Sequence, residues 1–179
     1  DDAFGTIGGG HLEFEALRLA RDAVTSPAAT GAWIVRFPLA ARLGQCCGGV
    51  ATLAFNVVQR DGLGWLDAAS TCLRTHTPIA LVSRIGGDAA PMLVTADNVT
   101  GSLGAQVDDS AGIASARHHL ALGTRSAMML PAVSPAGATL MLHVVQPPDF
   151  NVLVFGNGHV GRALAQVLGA LDVAVRWID

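Results

Sequence analysis

The sequence predicts a mixed α/β fold: two related α/β halves, followed by the beginning of a parallel sheet. Three observations carry this. Helical and strand periodicities alternate along the chain. Short stretches of the first half reappear in the second. A stiff proline pair, Pro147-Pro148, is followed by a strand, a glycine turn, a helix and a second strand pattern. The chain therefore divides into residues 1–146, with halves at about 1–58 and 79–146, and residues 147–179.

Taken in order, Asp1 to Gly5 is turn chemistry, Thr6-Ile7 a short strand, and Gly8-Gly9-Gly10 a break. From His11 the spacing predicts a helix, with Leu12, Ala16, Leu17, Ala20 and Val24 on one face and Pro27 and Gly31 ending it. Glu13 and Glu15 fall in its first turn, where the helix dipole favours acids. Trp33 to Phe37 reads as a strand, Pro38 to Gly44 as a loop, and Val50 to Val58 as a strand. Leu66 to Arg74 reads as a short helix with Cys72 in the core. Ile79–Ser83, Met92–Thr95 and Thr100–Leu103 read as strands, Ser110–Leu122 as a weak helix, and Ala127–Leu130 and Ala138–Val145 as strands. Beyond the prolines, Asn151–Phe155 is a strand, Arg162–Leu171 a helix with Ala163, Leu164, Val167 and Leu168 inward, and Val173–Ile178 a strand.

The repeat sets Asp1–Gly8 against Asp97–Gly104, Ala20-Arg21 against Ala116-Arg117, and Ala51–Val58 against Ala138–Val145. Its differences are the informative part. Gly9-Gly10-His11 stands where the second half has Ala105-Gln106-Val107. Gln45-Cys46-Cys47-Gly48-Gly49 stands where it has Ala132 to Ala136. Shared positions are explained by the fold; these unshared ones need another reason.

Two adjacent thiols, Cys46 and Cys47, sit between Gly44 and the pair Gly48-Gly49, ahead of a strand. Glycine permits positive φ and close approach of backbone to a ligand, so this thiol pair is placed to react or to ligate. The competing reading is two small buried hydrophobes. Vicinal cysteines make a poor tetrahedral chelate and no C-x-x-C is present, which argues against structural zinc. The Gly8–Gly10 amides, opening a helix, form an anion site on general grounds. So does Gly156-Asn157-Gly158-His159-Val160-Gly161, a G-x-G-x-x-G between strand and helix, with Asp179 placed to hold a ribose hydroxyl: a Rossmann-type start.

The net charge of -3 and the absence of a basic patch argue against nucleic-acid or anionic-membrane partners. No apolar run reaches transmembrane length. Cys 3 is too few for a disulfide framework, so a reducing cytosol is expected. The chain opens at Asp1 in turn chemistry and stops at Asp179 after a strand pattern, which reads as a fragment.

With Gly5–Glu13, Leu43–Gly49, Val154–Arg162 and Trp177–Asp179 assembled, the chain resembles the xanthine dehydrogenase accessory protein family (XdhC/CoxI) over nearly its whole length. The resemblance implies an XdhC/CoxI domain followed by a Rossmann domain, here stopping after its second strand. It implies no turnover but a cytoplasmic maturation role: binding molybdenum cofactor (molybdopterin), supporting its sulfuration by a cysteine desulfurase, and inserting it into an apo xanthine dehydrogenase-type molybdoenzyme. A homodimer is left open.

Cys46 and Cys47 would then be the soft ligands to molybdenum or sulfur. Gly8 to Gly10 or Gly156, Gly158 and Gly161 would seat the phosphate, and His11 and Glu13 would bond the pterin. Gln45, Gly48, Gly49, His159 and Asp179 complete the expected cofactor-binding set, the turn also suiting a nucleotide. A second reading is an NAD(P)-binding oxidoreductase built on the same turn, although the sequence has Tyr 0 and no Lys to assemble a Ser/Tyr/Lys set. A third is a scaffold whose motifs only pack.

Overall fold

The computed structural model describes residues 3–26, 31–39, 48–59, 63–131 and 138–178. Ile79 to Arg84 is apolar on both faces and becomes β3, the middle strand of a five-stranded antiparallel sheet. On one side β3 pairs with β4 (Met92–Val94), which pairs with β5 (Val99–Thr100). On the other it pairs with β7 (Leu140–Val145), which pairs with β6 (Ser126–Leu130). Side chains alternate across a strand, so the sheet carries a helix on each face. Ala80, Val82, Met92, Val94, Leu140, Leu142 and Val144 pack beneath Ala116 of α3 (Gln106–Ala121). Ile79 and Leu93 turn the other way, against Ala69 and Cys72 of α2 (Gly64–Arg74).

The first α/β stretch is smaller. α1 (Gly10–Thr25) leads to β1 (Gly31–Pro38) and β2 (Val50–Val57), an antiparallel pair in register from Gly31↔Val57 to Pro38↔Val50. β6 and β7 repeat that register, with Ser126↔Val144 where β1 and β2 have Gly31↔Val57. The hairpin meets the large sheet at one parallel bridge, Ala32↔Ile85, closed by Gly86 N–H to the Ala32 carbonyl (2.7 Å) and Ala32 N–H to the Gly87 carbonyl (3.3 Å). Gly31 is indispensable at this seam: its φ is +73°, and a Cβ there would lie 1.7 Å from the Gly87 carbonyl oxygen. Behind the seam, Arg84 Nε lies 3.4 Å from the buried carboxylate of Asp108.

After Pro147-Pro148, β8 (Asn151–Phe155), α4 (His159–Leu168) and β9 (Ala174–Ile178) form a parallel β-α-β unit, in register from Asn151↔Ala174 to Phe155↔Ile178. Arg125 fastens it to the preceding sheet, donating to Asp172 (2.7 Å), to Asp149 (2.9 Å) and to the Pro147 carbonyl. Both carboxylates are exposed, so each pair adds at most about 1 kcal/mol. No helix of the described residues is long and apolar enough to cross a membrane.

Four details differ from the sequence expectation. Thr6-Ile7 is loop, not strand. The strand expected over Thr100–Leu103 is confined to Val99–Thr100, and Leu103 instead buries its side chain in the core. α3 starts at Gln106 and not Ser110, because its inward face is built on the small residues Gly112 and Ala116, which make no apolar stripe. α4 starts at His159, inside the glycine turn, and rests on Gly161, Ala165 and Leu168, leaving Ala163, Leu164 and Val167 exposed. Two strands support only a narrow strip of a helix.

The seam yields a test. Gly31→Ala combines left-handed strain with a backbone clash and is expected to cost more than about 2 kcal/mol, lowering the thermal midpoint by roughly 4 °C or more. Gly64→Ala, which meets open space at a helix start, should leave the midpoint unchanged or slightly raised.

Candidate functional site

The loop into α1 is gathered by one carboxylate oxygen. Glu13 Oε2 accepts from Thr6 Oγ1 (2.5 Å), Ile7 N–H (3.1 Å) and Gly9 N–H (3.0 Å). The Gly8 N–H donates to Thr6 Oγ1 at 3.1 Å. The loop into α3 is made the same way: Asp109 accepts from Ser102 Oγ (2.7 Å) and Leu103 N–H (2.6 Å), and Gly104 N–H donates to Ser102 Oγ (3.1 Å). Thr6, Ile7, Gly8 and Glu13 thus stand for Ser102, Leu103, Gly104 and Asp109 at a constant offset.

The two loops part at the next residues. Gly8 and its counterpart Gly104 are both left-handed (φ +114° and +85°), but Gly9 and Gly10 are left-handed too (+74° and +69°), whereas Ala105, opposite Gly9, is extended at φ −143°. Glutamate, longer than aspartate by a methylene, reaches the extra donor that this bend presents. These three bonds hold the Glu13 carboxyl below its ordinary value, the Thr6 hydroxyl being the largest cause. The amides of Ile7, Gly8 and Gly9 are therefore taken, and an ionised carboxylate lies among them. The donors left at this helix start are the first-turn amides of Gly10 to Leu12, which have no intrahelical acceptor. His11 is exposed, its Nε2 3.9 Å from Glu15 Oε1.

Gly48 and Gly49 are exposed at the entry to β2; Gly49 has φ +123° and its carbonyl accepts from Leu39 N–H at 3.0 Å. Gln45, Cys46 and Cys47 lie outside the described residues. α1 lies against β2, with Phe55 beside Glu13, Ala16 and Leu17. Cys72 is half-buried against the α2 cluster, as expected of a core residue. The described residues contain no group of three or more His, Cys, Asp or Glu able to hold a metal ion.

The turn between β8 and α4 divides its glycines by role. Gly156 is left-handed (φ +93°), its N–H donates to the Ile178 carbonyl (2.9 Å), and its carbonyl accepts from Trp177 Nε1 (2.9 Å). Gly158 faces open space, so a ligand could approach its backbone. A Cβ on Gly161 would lie 2.3 Å from the Gly156 carbonyl oxygen, so this glycine serves helix-on-strand packing. His159 is exposed at the helix start, and no acidic residue occupies the first turn. Arg162 Nε donates to Asn157 Oδ1 at 3.2 Å. Asp179 lies outside the described residues, directly after Ile178.

Sequence reasoning placed Thr6 and Trp177 within motifs but gave neither a role of its own. Thr6 was legible, since extending the Thr6–Ser102 match along the chain also brings Glu13 onto Asp109; the Trp177 bond depends on strand pairing and left no signal. At the seam, Trp33, Arg84 and Asp88 line an open cavity of about 710 Å³, and among the described residues none of those predicted for the site lines it.

No family model and no curated protein matches the chain.

Glu13 supplies a pH test. Its folded value lies below the ordinary 4.5, so the loop is held above that pH and the contribution fades as pH falls through the folded value. Amide exchange at Ile7 and Gly9, corrected for intrinsic rates, should accelerate on acidification in the parent. In Glu13→Gln it should be fast and nearly independent of pH. Glu13→Asp should keep Ile7 protected and release Gly9, as the Asp109 geometry implies.

Proposed function

We propose that this chain is a carrier for molybdenum cofactor, of the kind the XdhC/CoxI resemblance implies: two related α/β halves followed by the start of a Rossmann-type sheet. In this reading the cofactor is cargo, and the protein holds it without turning it over. The observation that carries the reading is the difference between the two helix entries. The frame of Thr6, Gly8 and Glu13 recurs as Ser102, Gly104 and Asp109, but the left-handed Gly9 and Gly10 have no counterpart. In this reading the loop bearing Cys46 and Cys47 meets the cofactor together with that extra bend.

Roles follow from chemistry. Thiolates of Cys46 and Cys47 suit a soft metal–dithiolene or a sulfur in transit. The exposed Gly48 and Gly49 let backbone come close to a ligand. Glu13 is occupied in shaping the loop, and its charge works against a phosphate on Gly8 and Gly9. The phosphate is better served by the Gly10 to Leu12 amides or by the Gly156–Gly161 turn, where no carboxylate competes. His11, exposed beside Glu15 and Phe14, is the residue that would bond a pterin. The partners in this reading are a cysteine desulfurase and an apo molybdoenzyme of the xanthine dehydrogenase type, met in the cytosol.

The second reading, NAD(P) binding for an oxidoreductase, draws on the left-handed Gly156, the open Gly158 and Asp179 beyond β9. Two measurements separate them. Cys46→Ala/Cys47→Ala should lose cofactor binding and transfer by tenfold or more while the fold, read by circular dichroism, is kept. Reconstitution of apo-enzyme at the parent's level would remove the thiols from the mechanism. Titration with NAD and NADP should show binding without turnover at most; substrate-dependent reduction of the nucleotide would favour the oxidoreductase.

A further inference from the structure

The seam cavity sets two opposite charges beside an apolar wall. Arg84 ends β3, Asp88 follows the Gly86-Gly87 pair, and both line the space of about 710 Å³ together with Trp33, Ile85 and Ala138. The lining thus joins β1 of the first α-β-β unit (α1, β1, β2) to the turn after β3 and to the entry of β7 in the second (α3, β6, β7). Arg84 is held from behind: its Nε lies 3.4 Å from Asp108, whose side chain is 5% exposed against 36% for Arg84 itself. Its stem lies over Gly87, where a Cβ would come within 3.1 Å of the Arg84 Cδ. A buried carboxylate left without its cation is costly, so the guanidinium is fixed at the cavity wall. Among the described residues no other carboxylate pairs with it, and Asp88 has neither an ion pair nor a side-chain hydrogen bond. The backbone here is already satisfied. Gly86 N–H ends on the Ala32 carbonyl, Ala32 N–H on the Gly87 carbonyl, and Ile85 N–H on the Thr139 carbonyl (2.9 Å). The charged groups left to meet a ligand are the Arg84 guanidinium and the Asp88 carboxylate.

We propose that this cavity binds a free amino acid with a bulky apolar side chain, its carboxylate on Arg84, its ammonium on Asp88 and its side chain along Trp33 and Ile85. Charge complementarity selects the class. An anion alone would meet the Asp88 charge, with Asp108 behind Arg84 adding to the repulsion, and an amine alone would meet Arg84. A zwitterion satisfies both. A planar guanidinium takes a carboxylate through two parallel N–H donors. The volume is that of a small-molecule pocket, with apolar walls and a few polar groups to fix orientation. Because the walls come from both units, the bound amino acid spans the seam and stabilises the joined state by linkage. None of its anchors belongs to the Gly8–His11 entry or to the Gly156–Gly161 turn, so the site goes beyond the carrier role and stands or falls apart from it.

The test titrates the full chain with L-phenylalanine, phenylacetate and phenethylamine, read by calorimetry and by tryptophan fluorescence. L-Phenylalanine should bind saturably with a Kd of about 1 mM or tighter and raise the thermal midpoint by roughly 3 °C at tenfold excess over that Kd. Phenylacetate and phenethylamine, each lacking one charge, should bind at least about fivefold more weakly. Asp88→Asn should weaken L-phenylalanine and phenethylamine by a similar factor and spare phenylacetate. Arg84→Lys, which leaves Asp108 a cation but removes the fork, should weaken L-phenylalanine and phenylacetate and spare phenethylamine. Trp33→Phe, which keeps an apolar wall, should bind the amino acid with its fluorescence response lost. The proposal is overturned if L-phenylalanine gives no saturable heat up to about 10 mM, or if phenylacetate binds as tightly as the amino acid. It is also overturned if both charge variants, folded as the parent is, bind L-phenylalanine unchanged, or if the fluorescence response survives in Trp33→Phe.

Discussion

One carboxylate oxygen decides how the chain enters its first helix. Backbone donors in a loop must find acceptors, and Glu13 Oε2 collects those of Ile7 and Gly9 together with the Thr6 hydroxyl. This sets the direction from which Ala3 and Phe4 arrive, the residue at which α1 begins, and the side of the loop on which Gly10 and His11 emerge. Asp109 does the same for α3 with a shorter arm. The pair works as an internal control. What the two loops share is required to start a helix after this bend; what they do not share is not.

The same carboxylate governs electrostatics at the predicted site. A helix start attracts anions through its unpaired amides and dipole, but at α1 an ionised group is already in place, held in that state by its own bonds. At α4 the first turn has no acid, Gly158 is open, and Arg162 is fastened to Asn157 beside the turn. Two glycine-rich entries that look equivalent in sequence thus differ as anion seats. The difference lies in a side chain three residues beyond the last glycine of the first.

Much of the architecture was legible. Period-2 and period-3.6 patterns located β2, β3, α2 and β8 to within two residues, because each has a continuous or alternating apolar face. The start of α3 was less legible, since Gly112 and Ala116 make close helix–sheet contact without reading as apolar. Thr6-Ile7 carries a β-branched pair that reads as strand, yet capture by Glu13 makes it a loop. The need for Gly31 could not be read at all: its reason is the Gly87 carbonyl, distant in sequence. Of the predicted site, Gly8 to Gly10, His11, Glu13, Gly48, Gly49 and the 156–161 turn have described positions. Gln45, Cys46, Cys47 and Asp179 lie outside the described residues.

The glycines of the first loop bear on function through their cost. Ordering a glycine in place of a residue with a side chain costs about 0.5–1 kcal/mol, and Gly9 and Gly10 both stand where an extended alanine and a helical glutamine start α3. The Gly9 bond to Glu13 offsets part of this, but Asp109 shows that the helix entry holds without it. No backbone crowds Gly9 as it crowds Gly31 and Gly161, and the second unit starts its helix without either glycine. A bend that the frame does not require, at an exposed helix start, is what the proposed approach of a ligand to the backbone there would use. Among the described residues, this is the strongest physical reason for regarding the Gly8–His11 entry as a binding surface and its Gly104–Val107 twin as scaffold.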